Sequence, residues 1–108
     1  MKKGAIVLVE IPASGGHEQV GMRPAIVLSE VDAEIVIIIP FTSNVQALRF
    51  LHTIDVKPSI KNGLNSRSIA LVFQMRAIDK KKIKNIVGVL EDETMEKINE
   101  MIKEMLHL

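Results

Sequence analysis

Short apolar runs alternate with polar breaks along most of this chain. Residues 4–10 are apolar and β-branched behind Gly4, the pattern of a strand. Pro12, Gly15 and Gly16 then mark a loop. Residues 23–29 predict a second strand. Its Ala25-Ile26-Val27-Leu28 run is continuously apolar, as in a strand covered on both faces. A polar turn at 30–33 leads to a third strand over 34–42, with Ile35 to Ile39 expected to be buried and Pro40 expected to end its ladder. Residues 43–48 read as a polar connection. From Phe50 to Val56 apolar and polar residues alternate, with Leu51 as the exception, which predicts a half-exposed strand. Residues 58–65 read as a loop with an Asn62-Gly63 turn signal. Further strands are expected over 68–75 and 86–90, with Asp79 capping a helical turn at 80–84 between them.

The period changes after residue 90. Asp92 is the expected N-cap of a final helix, with Glu93 and Glu96 in its positive first turn. Met95, Ile98, Met101, Ile102, Met105 and Leu106 recur at helical spacing and form one apolar stripe, a packing surface for the core or for another subunit. Many short strands and one terminal helix predict a single domain over 1–108, mainly β with a C-terminal helix, folded as a small closed or half-closed barrel.

Composition narrows the function classes. With no cysteine in the chain, neither a disulfide framework nor a thiolate metal site is expected, and a reducing cytoplasm fits. No apolar run approaches the ~20 residues of a membrane span, and no signal-peptide pattern opens the sequence, so a cytoplasmic location is expected. The three histidines are scattered, so no metal site is expected. No P-loop or dinucleotide fingerprint occurs. With three Phe, no Tyr and no Trp, any nucleic-acid binding is expected to rely on charge and hydrogen bonds more than on stacking.

Charge is unevenly distributed. Residues 48–84 carry nine Lys or Arg against two acids, whereas residues 85–108 carry two Lys against six acids. A basic middle between acidic ends is compatible with a polyanion site on one face, or with charges that mix in space. The most informative stretch is 16–29, where a polar loop runs through Arg23-Pro24 into the buried strand. Pro24 drives Arg23 into extended backbone at the mouth of the β core. A guanidinium there needs an anion, either a carboxylate such as Glu18 or Glu10, or a phosphate.

Those residues, Gly-His-Glu-Gln-Val-Gly-Met-Arg-Pro-Ala-Ile-Val-Leu-Ser, resemble the signature loop and strand of the MazF/PemK family of toxin ribonucleases. The likeness continues through Gly4-Ala5-Ile6-Val7-Leu8-Val9, Pro40-Phe41-Thr42-Ser43, Ala70 to Asp79 and the final helix. It implies an SH3-like small barrel, the fold of MazF, PemK and CcdB toxins, a homodimer, and metal- and cofactor-free cleavage of single-stranded mRNA to 2′,3′-cyclic phosphate and 5′-OH ends. It also implies a cognate antitoxin with a disordered acidic tail, and no direct contact with DNA. Arg23 and Thr42 match the family's two main catalytic positions. Glu18 matches an acidic position that takes the 2′-OH proton, with His17 as the alternative base. His17, Gln19, Ser43, Asn44, Gln74 and Arg76 fall where the family meets RNA. Gln74 and Arg76, two apart in one expected strand, share a face. The chain lacks the Arg and Asp that some relatives carry where Leu71-Val72-Phe73 stands. Two other readings stay open: a CcdB-like toxin that poisons gyrase, with no use for Arg23 or Thr42, and an inactive member that only binds RNA or antitoxin.

Overall fold

A computed structural model describes residues 1–11 and 21–108. Its sheet is antiparallel in every pairing. The first strand, β1 (Ala5–Ile11), lies between β2 (Gly21–Glu30) and β7 (Ile83–Val89), and β2 pairs on its other edge with β3 (Ile35–Thr42). The far edge of β3 is divided. Ile35 to Ile38 pair with β6 (Arg76–Asp79), while Phe41 and Thr42 pair with β5 (Ser68–Leu71). β5 in turn carries β4 (Thr53–Val56). The 3-10 turn Lys80–Lys82 runs directly from β6 into β7, so the chain itself closes a half-barrel from β3 round to β1.

Two apolar layers explain the unbroken hydrophobic run in β2. Ala25 and Val27 point into a core with Val7, Val9, Val36, Ile38 and Ile78, enclosed by the half-barrel. Ile26 points to the opposite face and packs with Ile6, Ile39, Phe41 and Leu90 beneath the helix. That helix, α1 (Asp92–Leu106), inserts Ile98 fully into the second layer, with Met95, Met101, Ile102 and Met105 packed around it. Burying a side chain such as Ile98 contributes about 1.5–3 kcal/mol. Leu106, at the end of the predicted stripe, stays half exposed.

Several expectations change. Residues 43–48 are not merely a connection, because Val45–Arg49 form a 3-10 turn capped by Asn44, whose Oδ1 accepts from the Gln46 N–H at 3.0 Å. The chain bends through residues 50–52 after that turn, with His52 at a φ of 63°, and the strand is only Thr53–Val56. The strand predicted over 68–75 stops as β5 at Leu71 and passes into the 3-10 turn Val72–Gln74, and a strand not predicted, β6, follows from Arg76. The break lets the chain leave one partner edge of β3 and return to another. Pro40 does end the ladder with β2, as expected, but β3 runs on through Phe41 and Thr42 and changes partner to β5. Asp79 does cap the turn at Lys80–Lys82, accepting from the Lys81 N–H at 2.9 Å.

The N-cap of α1 is Glu91, one residue earlier than predicted, and its side chain does not cap the helix. It accepts instead from Ser59 Oγ at 2.6 Å and Asn62 Nδ2 at 3.2 Å. Asn62, fully buried, also accepts from the Ser59 and Leu64 N–H groups and donates to the Lys57 carbonyl. Gly63 and Gly88 let this loop lie directly on β7. A Cβ on Gly63, which has φ of 69°, would collide with the Val87 carbonyl, and one on Gly88 with the Asn62 backbone.

Candidate active site

The site forms where two prolines end a ladder. Ala25 opposite Pro40 is the last pair between β2 and β3 at this end. Pro24 and Pro40 both lack an N–H, so the seam has no donor from either. Continuing the same register sets Arg23 across from Thr42. Here β3 has already turned to β5, through Phe41–Ala70 and Thr42–Ile69. The two strands therefore part, and a pocket of about 190 Å³ opens between them. Met22, Arg23 and Pro24 line one side, Phe41, Thr42 and Ser43 another, and Asn65, Ser66 and Ser68 the third.

Thr42 is 7% exposed, and its Oγ1 accepts from the Asn44 N–H at 3.2 Å. With that lone pair occupied, the O–H remains a donor. Thr42 also lines a second pocket, of about 460 Å³, with Asn44, Gln46, Arg49, Phe50, Phe73 and Gln74. Thr42 is thus the wall shared by two adjoining pockets. Among the described residues, no Asp or Glu lines either one. A half-buried guanidinium and a buried hydroxyl, with no acid among the described lining residues, suit an anion. The outer side of α1 is the opposite case, where a shallow depression is lined by Glu93, Glu96, Glu100 and Glu104.

The structure thus brings together Arg23, Thr42 and Ser43 in one pocket, and Thr42, Asn44 and Gln74 in the next. Arg76 does not share a face with Gln74. Gln74 closes a 3-10 turn, and Arg76 opens β6 opposite Ile38, outside both pockets. Glu18, His17 and Gln19 lie outside the described residues. The Asn65-Ser66 wall and the Phe50–Phe73 pair were not anticipated. Both stand on segments whose course depends on partners remote in sequence, and only the Asn62-Gly63 turn signal pointed near the first.

The charge gradient is partly dissolved by folding. Arg67 forms a two-pronged pair with Asp55, Nη2 to Oδ2 at 2.6 Å and Nε to Oδ1 at 2.8 Å. The guanidinium holds the Asp55 carboxyl below its usual range, and the carboxylate raises Arg67 in return. Lys80 meets Glu30 at 3.0 Å and Lys84 meets Glu10 at 3.9 Å. Two lysines of the basic middle thus meet acids of the N-terminal segment, and Arg67 meets an acid within the middle itself.

A curled half-barrel with a terminal helix, and with an arginine and a threonine lining one pocket where two strands part, defines a small antiparallel β protein. Sequence comparison gives the particular family. The chain belongs to the PemK-like, MazF-like toxins of type II toxin–antitoxin systems, whose family model matches residues 2–106. It is 26% identical to an endoribonuclease MazF of Staphylococcus saprophyticus over 106 residues, covering 94% of this chain and 88% of that one. Its fold matches a MazF crystal structure from Deinococcus radiodurans with a TM-score of 0.83 at 18% identity, covering 100% of this chain and 97% of the other. It also matches a mycobacterial endoribonuclease solved in complex with its cognate antitoxin, with a TM-score of 0.70 at 16% identity, covering 98% and 92%.

Proposed function

We propose that this toxin is a metal-independent endoribonuclease that cleaves single-stranded mRNA at selected sequences. The observation that carries the reading is the meeting of Arg23 and Thr42 in one pocket at the parted end of β2 and β3. The curated relative from Staphylococcus, an endoribonuclease by name, supports it. In the proposed reaction the ribose 2′-oxygen attacks the adjacent phosphorus as its proton passes to a base. The bond to the 5′-oxygen breaks, and that oxygen takes up a proton. A 2′,3′-cyclic phosphate and a 5′-OH result. Arg23 donates to the non-bridging oxygens as negative charge develops, and the Thr42 O–H donates to the same group. Both stand on strand backbone, which holds them in place as charge builds. Glu18, five residues before Arg23, is proposed as the base, with His17 as the alternative.

The enzyme acts in the cytoplasm as a homodimer, and a cognate antitoxin restrains it by laying a disordered acidic tail over the RNA groove, folding as it binds. The mycobacterial neighbour solved with its antitoxin supports such a partner. The reading is tested by incubating the protein with a long single-stranded RNA in EDTA and mapping the new ends. Cleavage leaving cyclic phosphate and 5′-OH is expected. Intact RNA, or cleavage abolished by EDTA, overturns it. Inhibition of gyrase supercoiling without RNA cleavage would identify the CcdB-like activity instead.

A further inference from the structure

The third wall of the Arg23 pocket includes a short exposed span, Asn65-Ser66, whose backbone is pinned on both sides. Before it, Leu64 is 7% exposed in the apolar layer under α1, and its N–H donates to Asn62 Oδ1 at 3.0 Å. After it, Arg67 is clamped by Asp55, and the buried Ser68 donates its Oγ proton to the Ser66 carbonyl at 2.9 Å. Asn65 itself is exposed, and its amide makes no hydrogen bond among the described residues. Asn62, three positions earlier, commits the same amide wholly to the fold. On an open surface water would satisfy the Asn65 amide, but this one lines a pocket that also takes in Arg23 and Thr42. At about 190 Å³ the pocket is below the roughly 300–1,000 Å³ that encloses a whole small molecule, so it suits one group of a longer ligand. A fixed donor with no internal partner, set beside a guanidinium and a hydroxyl, suits an anionic group there.

We infer that Asn65 is a further catalytic residue, whose Nδ2–H donates to a non-bridging oxygen of the scissile phosphate. The inference rests on the ribonuclease reading. In that reading Arg23 and Thr42 approach the phosphate from β2 and β3, and Asn65 adds a donor from the wall that precedes β5. As the 2′-oxygen adds to phosphorus, the non-bridging oxygens gain negative charge, and a further fixed donor shares it. The amide keeps its proton throughout and forms no covalent bond. Being uncharged, it holds the phosphate weakly at first and more strongly once charge has built. Its contribution therefore falls on kcat more than on RNA affinity.

The test uses the full chain and a short RNA spanning one mapped cut. Asn65→Ala should lower kcat by about 10–100-fold, the worth of one hydrogen bond to a charged group, with KM unchanged. Asn65→Asp keeps the shape, removes the donor and adds a negative charge, so it should lose at least as much. Neither should move the urea midpoint, because the amide makes no bond within the fold. Sulfur at the scissile phosphate reads the contact itself. Sulfur in place of the bonded oxygen should slow wild type more than Asn65→Ala, so the rate ratio between the two phosphorothioate diastereomers should change. The same ratio in wild type and both variants overturns the assignment, as does wild-type kcat in Asn65→Asp. A lowered urea midpoint in both variants makes Asn65 a structural residue and overturns it too. A strand with a 2′-deoxy sugar at the cut, which cannot be cleaved, separates this inference from the ribonuclease reading. In NMR spectra of the isotope-labelled chain, the Asn65 side-chain amide signals, identified by their absence from Asn65→Ala, should shift when that strand is added. If they shift but wild type cuts no RNA, the ribonuclease reading falls and Asn65 stands as an anion-binding residue. Unshifted signals overturn the contact.

Discussion

Asn62 and Thr42 are both buried polar residues beside the same loop, yet they are wired in opposite ways. Asn62 directs its whole amide inward, with acceptor bonds to two backbone N–H groups and donor bonds to the Lys57 carbonyl and Glu91. Thr42 accepts one bond from its neighbour's backbone and keeps its hydroxyl proton at a junction of two pockets. The difference separates support from chemistry. A polar group whose capacity is satisfied internally holds the fold, whereas a donor held rigidly at an open space is available to a ligand. Asn62 also serves the site, because it fixes the loop whose next residues, Leu64 to Ser66, form the third wall of the Arg23 pocket.

The contrast is broken or sharpened by substitution. Arg23→Ala should have the largest effect on activity, lowering RNA cleavage by about 10²–10³-fold, the scale of one lost preorganised donor. Its circular dichroism and urea midpoint should stay at wild-type values, and loss of the fold would return Arg23 to a structural role. Asn62→Ala should show the reverse emphasis. Four partners lose their bond, and unfolding free energy should fall by about 3 kcal/mol in urea titrations. An unchanged midpoint would mean that water replaces the amide fully.

Thr42→Val keeps the branched shape and removes the hydroxyl. Cleavage should fall by about 10–100-fold, the value of a hydrogen bond to a charged group, at constant stability. Equal activity in the two proteins would make Thr42 a packing residue. Smaller still is the contribution of Glu91. Burial pushes its carboxyl up, but hydrogen bonds from Ser59, its own backbone N–H and Asn62, with the nearby Lys61 charge, outweigh burial and hold it below the ordinary value. A carboxyl lowered by folding stabilises above its unfolded pKa and loses that contribution as pH falls through the folded one. The stability gap between wild type and Glu91→Gln should therefore shrink from about pH 5 downward, and a gap that widens in acid would reverse the sign. Arg76→Ala, outside both pockets, should change cleavage least, by less than about threefold. A large loss there would extend the RNA path along β6.

Period and punctuation carried much of this architecture. The apolar runs of β1, β2 and β3 are long enough to be strands and too apolar to be half exposed, and the helical stripe after residue 90 admits one arrangement. The Asp79 cap was legible because an N-cap is a local bond, made within two residues. Arg23-Pro24 was legible as a candidate because a proline step is a local feature too, whereas Thr42, alone an ordinary β-branched strand residue, was marked only by the family resemblance. The strand predicted over 68–75 was misread because its apolar pattern is the same whether the chain stays on one edge of β3 or changes edge.

The sequence by itself determined the first three strands, where the helix lies and that an arginine stands near the start of a buried strand. Each of those follows from neighbours a few residues away, through backbone sterics and the period of apolar positions. Only the tertiary structure decided that Arg23 and Thr42 line one pocket, that Phe50 and Phe73 meet beside it and that Arg67, Lys80 and Lys84 pair with acids. Those outcomes depend on strand register and on which edge of β3 each segment takes. Register is set by the packing of two apolar layers at once, and no local pattern encodes it.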